Sequence, residues 1–320
     1  MDHDVSVMLG KTLVLFAGWS GSGLFLNDTW TLDVSPLLSG SGSSSWSQVN
    51  AKLLAANMTR ADHTLSILQP NSNPILMSFA GGRFPSDTRT NDILTLSSNL
   101  QWNDLAVQQT IPPPRMGHST VIVNADTPST SFLVAFGGST NLGTVNDLWS
   151  FDIASSQWTQ HKPSSTKELW PIARLWHTMV AVNDTTGILF GGDSTESGPV
   201  LGDIWALNWQ TWTWTKIEPQ GSTKPSARSG HVSVALNGNV YIFGGQGVLG
   251  STISNQLWKF SLATNSWTLI GNTDPQPSPR LGSKGAVIQN NLVIFSGCTA
   301  NSPQAGCTAF DNQLWSIPLA

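Results

Sequence analysis

Apolar residues in this chain come in short runs of four to seven. Some are continuous, as in Leu292 to Phe295 and Val240 to Phe243, others alternate with polar positions, and turn-forming Gly, Pro, Asn and Ser stand between them. An amphipathic helix would repeat its apolar positions every 3.6 residues over a longer window, so the pattern predicts short strands joined by tight turns. The runs recur as a larger unit. His3, His63, His118, His177 and His231 are separated by 60, 55, 59 and 54 residues, and Ser283 stands 52 further on. Each start is followed by two apolar runs and a glycine pair or its remnant: Ala17-Gly18, Gly81-Gly82, Gly137-Gly138, Gly191-Gly192, Gly244-Gly245 and Ser296-Gly297. Glycine is needed where a chain leaves a strand through positive φ or close backbone contact. A polar pair then leads to Trp30, Leu94, Trp149, Trp205, Trp258 and Trp315, marking a third strand. Eight to sixteen residues later Trp46, Trp102, Trp158, Trp214 and Trp267 mark a fourth.

A sheet of four short strands exposes two flat apolar faces and is unstable alone, so each copy must pack its Trp and aliphatic layer against the next. The glycine pair, the Asn-Asp-x-Trp step (Asn146-Asp147-Leu148-Trp149) and the following Trp resemble the kelch repeat, and the likeness runs through essentially the whole chain. That resemblance implies an all-β fold: one six-bladed β-propeller over residues 1–320, with four-stranded antiparallel blades near 1–58, 59–113, 114–172, 173–226, 227–278 and 279–320. Two copies depart from the pattern. The sixth ends at Asn312-Gln313-Leu314-Trp315-Ser316-Ile317 with no later Trp, and the first starts at its innermost strand. The last blade is therefore expected to have three strands, or the natural chain to extend further upstream.

Composition narrows the function classes. With 11% charged residues, a net charge of −4 and no run of Lys or Arg, the chain lacks the basic footprint of a nucleic-acid or anionic-membrane binder. No apolar stretch approaches the ~18 residues of a spanning helix, so membrane insertion is not expected. Two cysteines, Cys298 and Cys307, cannot make a zinc site unaided and are read as a short disulfide-closed loop, with two free surface thiols as the alternative. Sequons at Asn27, Asn57 and Asn183 fit glycosylation on a secretory route, and a secreted or lumenal location is expected, with the cytoplasm as the alternative. Residues 1–10 lack the basic region and cleavage site of a signal peptide.

Candidate chemistry gathers at the crossings between copies. Arg60, Arg115, Arg174, Arg228 and Arg280 stand three residues before the His or Ser start. In kelch proteins this connection, with the loop after the glycine pair, lines the usual ligand face, so the resemblance implies arginines around the channel mouth, holding carboxylates, enolates or phosphates. The alternative is that they bond to backbone carbonyls and fix the crossing. Trp19, Arg83, Phe84 and Trp176 occupy loop positions that the repeat does not require and are further ligand-binding candidates. Trp170, Trp209 and Trp212 are read as packing and His161 as a surface residue. One repeat histidine per blade spreads the imidazoles around the circumference, so no metal and no cofactor is expected. Galactose-oxidase-like chemistry needs tyrosines, and Tyr241 is the only one. The Glu-x-x-x-Asp-x-x-x-His motif of nitrile-specifier-like proteins does not follow Glu168, Glu196 or Glu218.

The first functional reading is a recognition propeller for a small molecule, peptide or glycan at an Arg/Trp-lined mouth. The second is a metal-free, cofactor-independent enzyme of secondary metabolism, of cyclase or pericyclase type such as a hetero-Diels-Alderase. Such chemistry rests on orientation and preorganised donors and leaves no motif. The third is a structural interaction module of a larger protein.

Overall fold

The computed structural model describes all residues except 1, 10, 20–24, 40–44, 50–58, 69–72, 84–87, 108–109, 166–167, 248–251, 272–275, 303–305 and 320. Blade 1 is β1 (Asp2–Leu9), β2 (Thr12–Trp19), β3 (Phe25–Asp33) and β4 (Ser47–Val49), with the five-residue helix α1 (Ser35–Ser39) between the last two. Blade 2 is β5 (Thr64–Leu68), β6 (Ile75–Arg83), β7 (Thr88–Leu96) and β8 (Trp102–Asp104), followed by the bridging β9 (Arg115–Met116). Blade 3 holds β10 (Ser119–Val123), β11 (Phe132–Phe136), β14 (Leu148–Asp152) and β15 (Gln157–His161); the short β12 (Ser139–Thr140) and β13 (Gly143–Thr144) lie in its central loop. Blade 4 is β16 (Thr178–Asn183), β17 (Thr186–Phe190), β18 (Ile204–Asn208) and β19 (Thr213–Ile217). Blade 5 is β20 (Val232–Leu236), β21 (Asn239–Phe243), β22 (Leu257–Ser261) and β23 (Ser266–Ile270). The sixth copy gives β24 (Lys284–Ile288), β25 (Asn291–Phe295), the hairpin β26 (Cys298–Ser302) and β27 (Gly306–Phe310), and β28 (Leu314–Pro318).

Within each blade consecutive strands pair antiparallel, and the innermost strands contact one another in the cyclic order β1, β5, β10, β16, β20, β24 and back to β1. The expectation of six blades is corrected by this topology to five four-stranded blades. The sixth copy forms a three-stranded sheet, β24-β25-β28, with β26 and β27 paired separately, and among the described residues no outer strand joins β28.

Aromatic packing explains the difference. The tryptophan in or next to the outer strand of each blade lies on the phenylalanine that precedes the positive-φ pair in the copy before it. Trp102 is 4.2 Å from Phe16, Trp158 4.9 Å from Phe79, Trp214 5.0 Å from Phe136 and Trp267 5.2 Å from Phe190, while Trp46 lies 4.8 Å from Phe295 and joins blade 1 to the sixth copy. These pairs bury large area in tilted or edge geometry, which aromatic quadrupoles favour. Phe243, the equivalent ring of blade 5, belongs instead to a cluster with Leu292, Ile294, Ile317 and Leu319, against which Trp315 packs, because the sixth copy has no tryptophan after its third strand.

The glycine step follows each of these phenylalanines. Both residues of the pair have positive φ in every copy, and in copy two the pair is Ala80-Gly81 (φ 57° and 115°), one residue earlier than the Gly81-Gly82 read from sequence. The second member must be glycine because a Cβ at Gly138, Gly192 or Gly245 would stand 2.7–2.8 Å from the Cβ of His118, His177 or His231.

Candidate binding face

The five repeat arginines enter their blades at the crossings, and all are 0 or 1% exposed. Arg115 donates from Nη1 and Nη2 to the two carboxylate oxygens of Asp147 at 2.7 Å each, from Nη1 to Gly137 O at 2.8 Å and from Nε to Pro113 O at 3.1 Å. Arg174 repeats this with Asp203, Gly191 O and Ile172 O, and Arg60 with Asp92 and Ala80 O. Arg280 reaches Asp311 Oδ2 at 2.6 Å and Ser296 O at 3.1 Å. Burial alone would raise the Asp203 carboxyl, but the Arg174 hydrogen bond and charge, with the Trp205 indole, carry it below the ordinary carboxylate value. The arginine main chain ties in the preceding copy: Gly138 N donates to Arg174 O and Gly192 N to Arg228 O. These side chains therefore lock the positive-φ pair to the start of the third strand. Of the two readings of Arg60, Arg115, Arg174 and Arg280, as ligand donors around the mouth or as side chains that fix the crossing, the hydrogen bonds among the described residues are those of the second. Arg228 shares the burial but has no carboxylate partner among the described residues.

Two residues beyond each arginine the chain turns through the left-handed region, and these turns are linked in series. Gly117 N donates to Asp62 O (3.0 Å), Trp176 N to Gly117 O (2.7 Å), Gly230 N to Trp176 O (3.0 Å) and Gly282 N to Gly230 O (2.8 Å). This backbone circlet runs around the inner ends of the blades. Three of its members are glycine, and Trp176 at φ 52° is not. A bulky residue held there costs about 1–2 kcal/mol relative to glycine. Its half-buried indole lies over Gly117, where an added Cβ would come within 3.2 Å of Trp176 Cδ1 and Nε1, and among the described residues Nε1 has no hydrogen-bond partner.

The central loops of blades 2, 3 and 4 line an open groove of about 830 Å³. β9 and β12 extend the sheet of blade 2 across to blade 3, since Thr90 pairs with Arg115, Arg115 with Thr140, and Ser139 with Thr144. Arg89 from β7 lies in the groove 8% exposed, its Nη2 donating at 3.2 Å to Glu196 Oε1, which also accepts from Ser139 Oγ at 2.8 Å. Arg89 Nε is buried without a partner. The remaining lining, including Thr88, Thr140, Asn141, Thr144 and Ser197, is hydroxyl and amide. Asp193, just after the glycine pair of blade 4, has a buried Oδ1 without a partner; burial pushes its carboxyl up to about 6. None of Arg89, Glu196, Ser139 or Asp193 was legible as a site residue. The available signal was positional, because Ser139, Asp193 and Gln246 all directly follow a positive-φ pair.

The other expected residues divide. Trp19 and Arg83 end β2 and β6, with side chains outside the described set, and Phe84 and Asn57 lie outside the described residues. Asn183 is exposed, its Oδ1 accepting from Thr185 N and Oγ1, whereas Asn27 in β3 is half-buried. Cys298 and Cys307 form a disulfide, Cα–Cα 5.8 Å, that staples β26 to β27. The repeat histidines tie blades together: His177 Nε2 is 2.8 Å from Ser119 Oγ and His231 Nε2 2.8 Å from Thr178 Oγ1, and burial drives the His231 pKa down to about 3. Trp209 is 3% exposed against Gly187, and His161 stacks on Trp212 at 3.7 Å, half-buried where a surface position was expected.

The family model described as the KLHDC2/KLHL20/DRC7 Kelch-repeats domain matches residues 127–317. The chain belongs to this kelch-repeat family. Among similar proteins, the leucine-zipper-like transcriptional regulator 1 homolog of Drosophila melanogaster is 27% identical over 71% of this chain and 24% of its own length. Kelch domain-containing protein 10 of Homo sapiens is 28% identical over 78% and 51%, and kelch domain-containing protein 3 of Mus musculus 25% identical over 71% and 59%. The chain thus spans a quarter to about three fifths of the length of these relatives. The solved structure of YjhT superposes with a TM-score of 0.70 at 17% identity, covering 98% of this chain and 93% of that one, a likeness of fold. Kelch propellers serve generally as protein-interaction or ligand-binding modules. Among the described residues no helix is long and apolar enough to cross a membrane.

Proposed function

We propose that this kelch propeller is a recognition module that holds an extended segment of a partner protein across the groove of blades 2 to 4, anchored by Trp176. The observation that carries the reading is the indole kept at φ 52° in a circlet otherwise built mainly of glycine. Backbone strain concentrates where a surrounding structure maintains it for use, and an amphipathic ring with an unpaired N–H suits the centre of an interface. Leu175, next to Trp176, pairs with Asp193 three residues before Glu196, and the groove is open and, apart from Arg89 and Glu196, lined mainly with hydroxyl and amide groups, which favours main-chain hydrogen bonding to a peptide over enclosure of a small substrate. A small molecule or glycan at the same face is the alternative ligand. An oxidising, secretory compartment is part of the same reading, supported by the Cys298–Cys307 bridge and the exposed Asn183.

The test is a random peptide library panned on the whole chain. Selected peptides should protect Ser139 to Thr144 and Thr195 to Ser197 from hydrogen exchange. They should bind Trp176→Gly roughly tenfold more weakly, as expected for loss of an aromatic anchor, while that variant melts no lower than the parent. Peptides that bind Trp176→Gly equally well, or protect the opposite end of the ring, overturn it. Sugar found at Asn183 after secretion from a eukaryotic host would support the compartment.

A further inference from the structure

Among the described residues Arg228 is the one repeat arginine without a carboxylate partner. Arg60, Arg115, Arg174 and Arg280 each pair with an aspartate, but the corresponding position of blade 5 is Gln256. Its Oε1 imitates the missing carboxylate, accepting from Arg228 Nη2 and from Trp258 Nε1, both at 3.1 Å, as Asp203 accepts from Arg174 and Trp205. Ser226 Oγ accepts from Arg228 Nη2 at 3.2 Å and Ser254 Oγ from Nη1 at 3.3 Å, while Ser226 O and Gly244 O take the other N–H groups. The five N–H groups of Arg228 are thus taken up by neutral groups, and among the described residues no carboxylate pairs with its charge. Burial lowers the guanidinium pKa to about 10 with no counter-charge to oppose it.

The neutral partners share a second property. Ser226, Ser254 and Gln256 each accept from Arg228 with oxygen and retain a donor: two hydroxyl protons and the Gln256 amide, none of which has an acceptor among the described residues. All three side chains, together with Arg228 and Thr252, line one cavity of about 310 Å³. A 1% exposed cation with no counter-ion among the described residues, ringed by unspent donors lining one space, is the arrangement an anion completes.

We infer that this cavity binds a carboxylate, received by the Gln256 amide and the Ser226 and Ser254 hydroxyls, with Arg228 supplying the opposing charge from behind. The specificity for carboxylate over other anions follows from the sister blades, where the same arginine position is matched by a planar two-oxygen group. The site shares no lining residue with the groove of blades 2 to 4 and stands independently of the proposed peptide reading.

The experiment is a calorimetric and melting titration of the whole chain with sodium succinate and, separately, with a hexaglutamate peptide, against sodium chloride at matched ionic strength. Saturable binding of either probe is expected, succinate alone indicating a small-molecule source and hexaglutamate alone a protein side chain. Gln256→Asp installs the missing charge within the chain, so it should melt higher than the parent in chloride and bind the probe at least tenfold more weakly. Arg89→Ala should leave binding unchanged. No saturable response to either probe, a Gln256→Asp variant that binds like the parent, or loss of binding in Arg89→Ala would each overturn the assignment.

Discussion

Arg174 and Asp203 meet through two hydrogen bonds of 2.8 Å, with the arginine fully buried and the aspartate side chain 22% exposed. The pair clamps the glycine step of blade 4 to its third strand. Arg174→Ala would leave Asp203 with only the Trp205 indole as a side-chain donor and remove the guanidinium from Gly191 O, and its expected cost is about 3–5 kcal/mol. By contrast, Arg89→Ala, whose partner Glu196 is half exposed, should cost less than about 1 kcal/mol. Chemical denaturation of the two variants checks the contrast, and a mild Arg174→Ala phenotype would contradict the structural role.

Trp214 is 5% exposed and covers Phe136 from the next blade. Trp214→Ala should destabilise by about 3–5 kcal/mol, with Trp214→Phe closer to the parent. Trp176→Gly, at φ 52°, should change stability by less than about 1 kcal/mol or raise it, since glycine relieves the left-handed turn. Paired thermal melts separate the tryptophan that builds the ring from the one that the ring displays.

Two buried groups titrate in opposite directions. The Asp193 carboxyl has its folded pKa raised to about 6 by burial, so its contribution is complete below about 3.8 and is lost as pH rises through about 6. Asp193→Asn should therefore gain stability relative to the parent above that pH and show no gain near pH 4.

His231 has its folded pKa lowered to about 3 by burial, and the unfolded chain binds the proton first as pH falls. Its contribution is complete above about 6.5 and declines below it by about 1.4 kcal/mol per pH unit. Denaturation of the parent and His231→Gln between pH 7 and about 4 should show a shallower slope in the variant.

The Cys298–Cys307 bridge spans a sequence separation of 9. Replacing both cysteines with serine should cost about 2–3 kcal/mol through restored freedom of the unfolded loop. Hydrogen exchange should rise in β26 and β27, and an unchanged melting temperature would argue against any stabilising role.

Much of this molecule could be read without coordinates. The alternation of short apolar runs is a local property of extended chain, and the spacing of histidine, glycine pair and tryptophan repeats because every blade solves the same packing problem against its neighbour. The strand order and the fourth-strand tryptophans follow from that local, periodic information, and the cysteine pairing was read from two cysteines close in sequence. Tertiary structure decided what depends on which distant groups meet: that Arg60, Arg115, Arg174 and Arg280 turn inward to aspartates 29 to 32 residues away while Arg228 meets Gln256, and that Arg89 meets Glu196 across 107 residues. Whether a charged side chain faces solvent or its own blade depends on which distant groups arrive at the same height on the ring, and that relation leaves no mark on the spacing of residues along the chain.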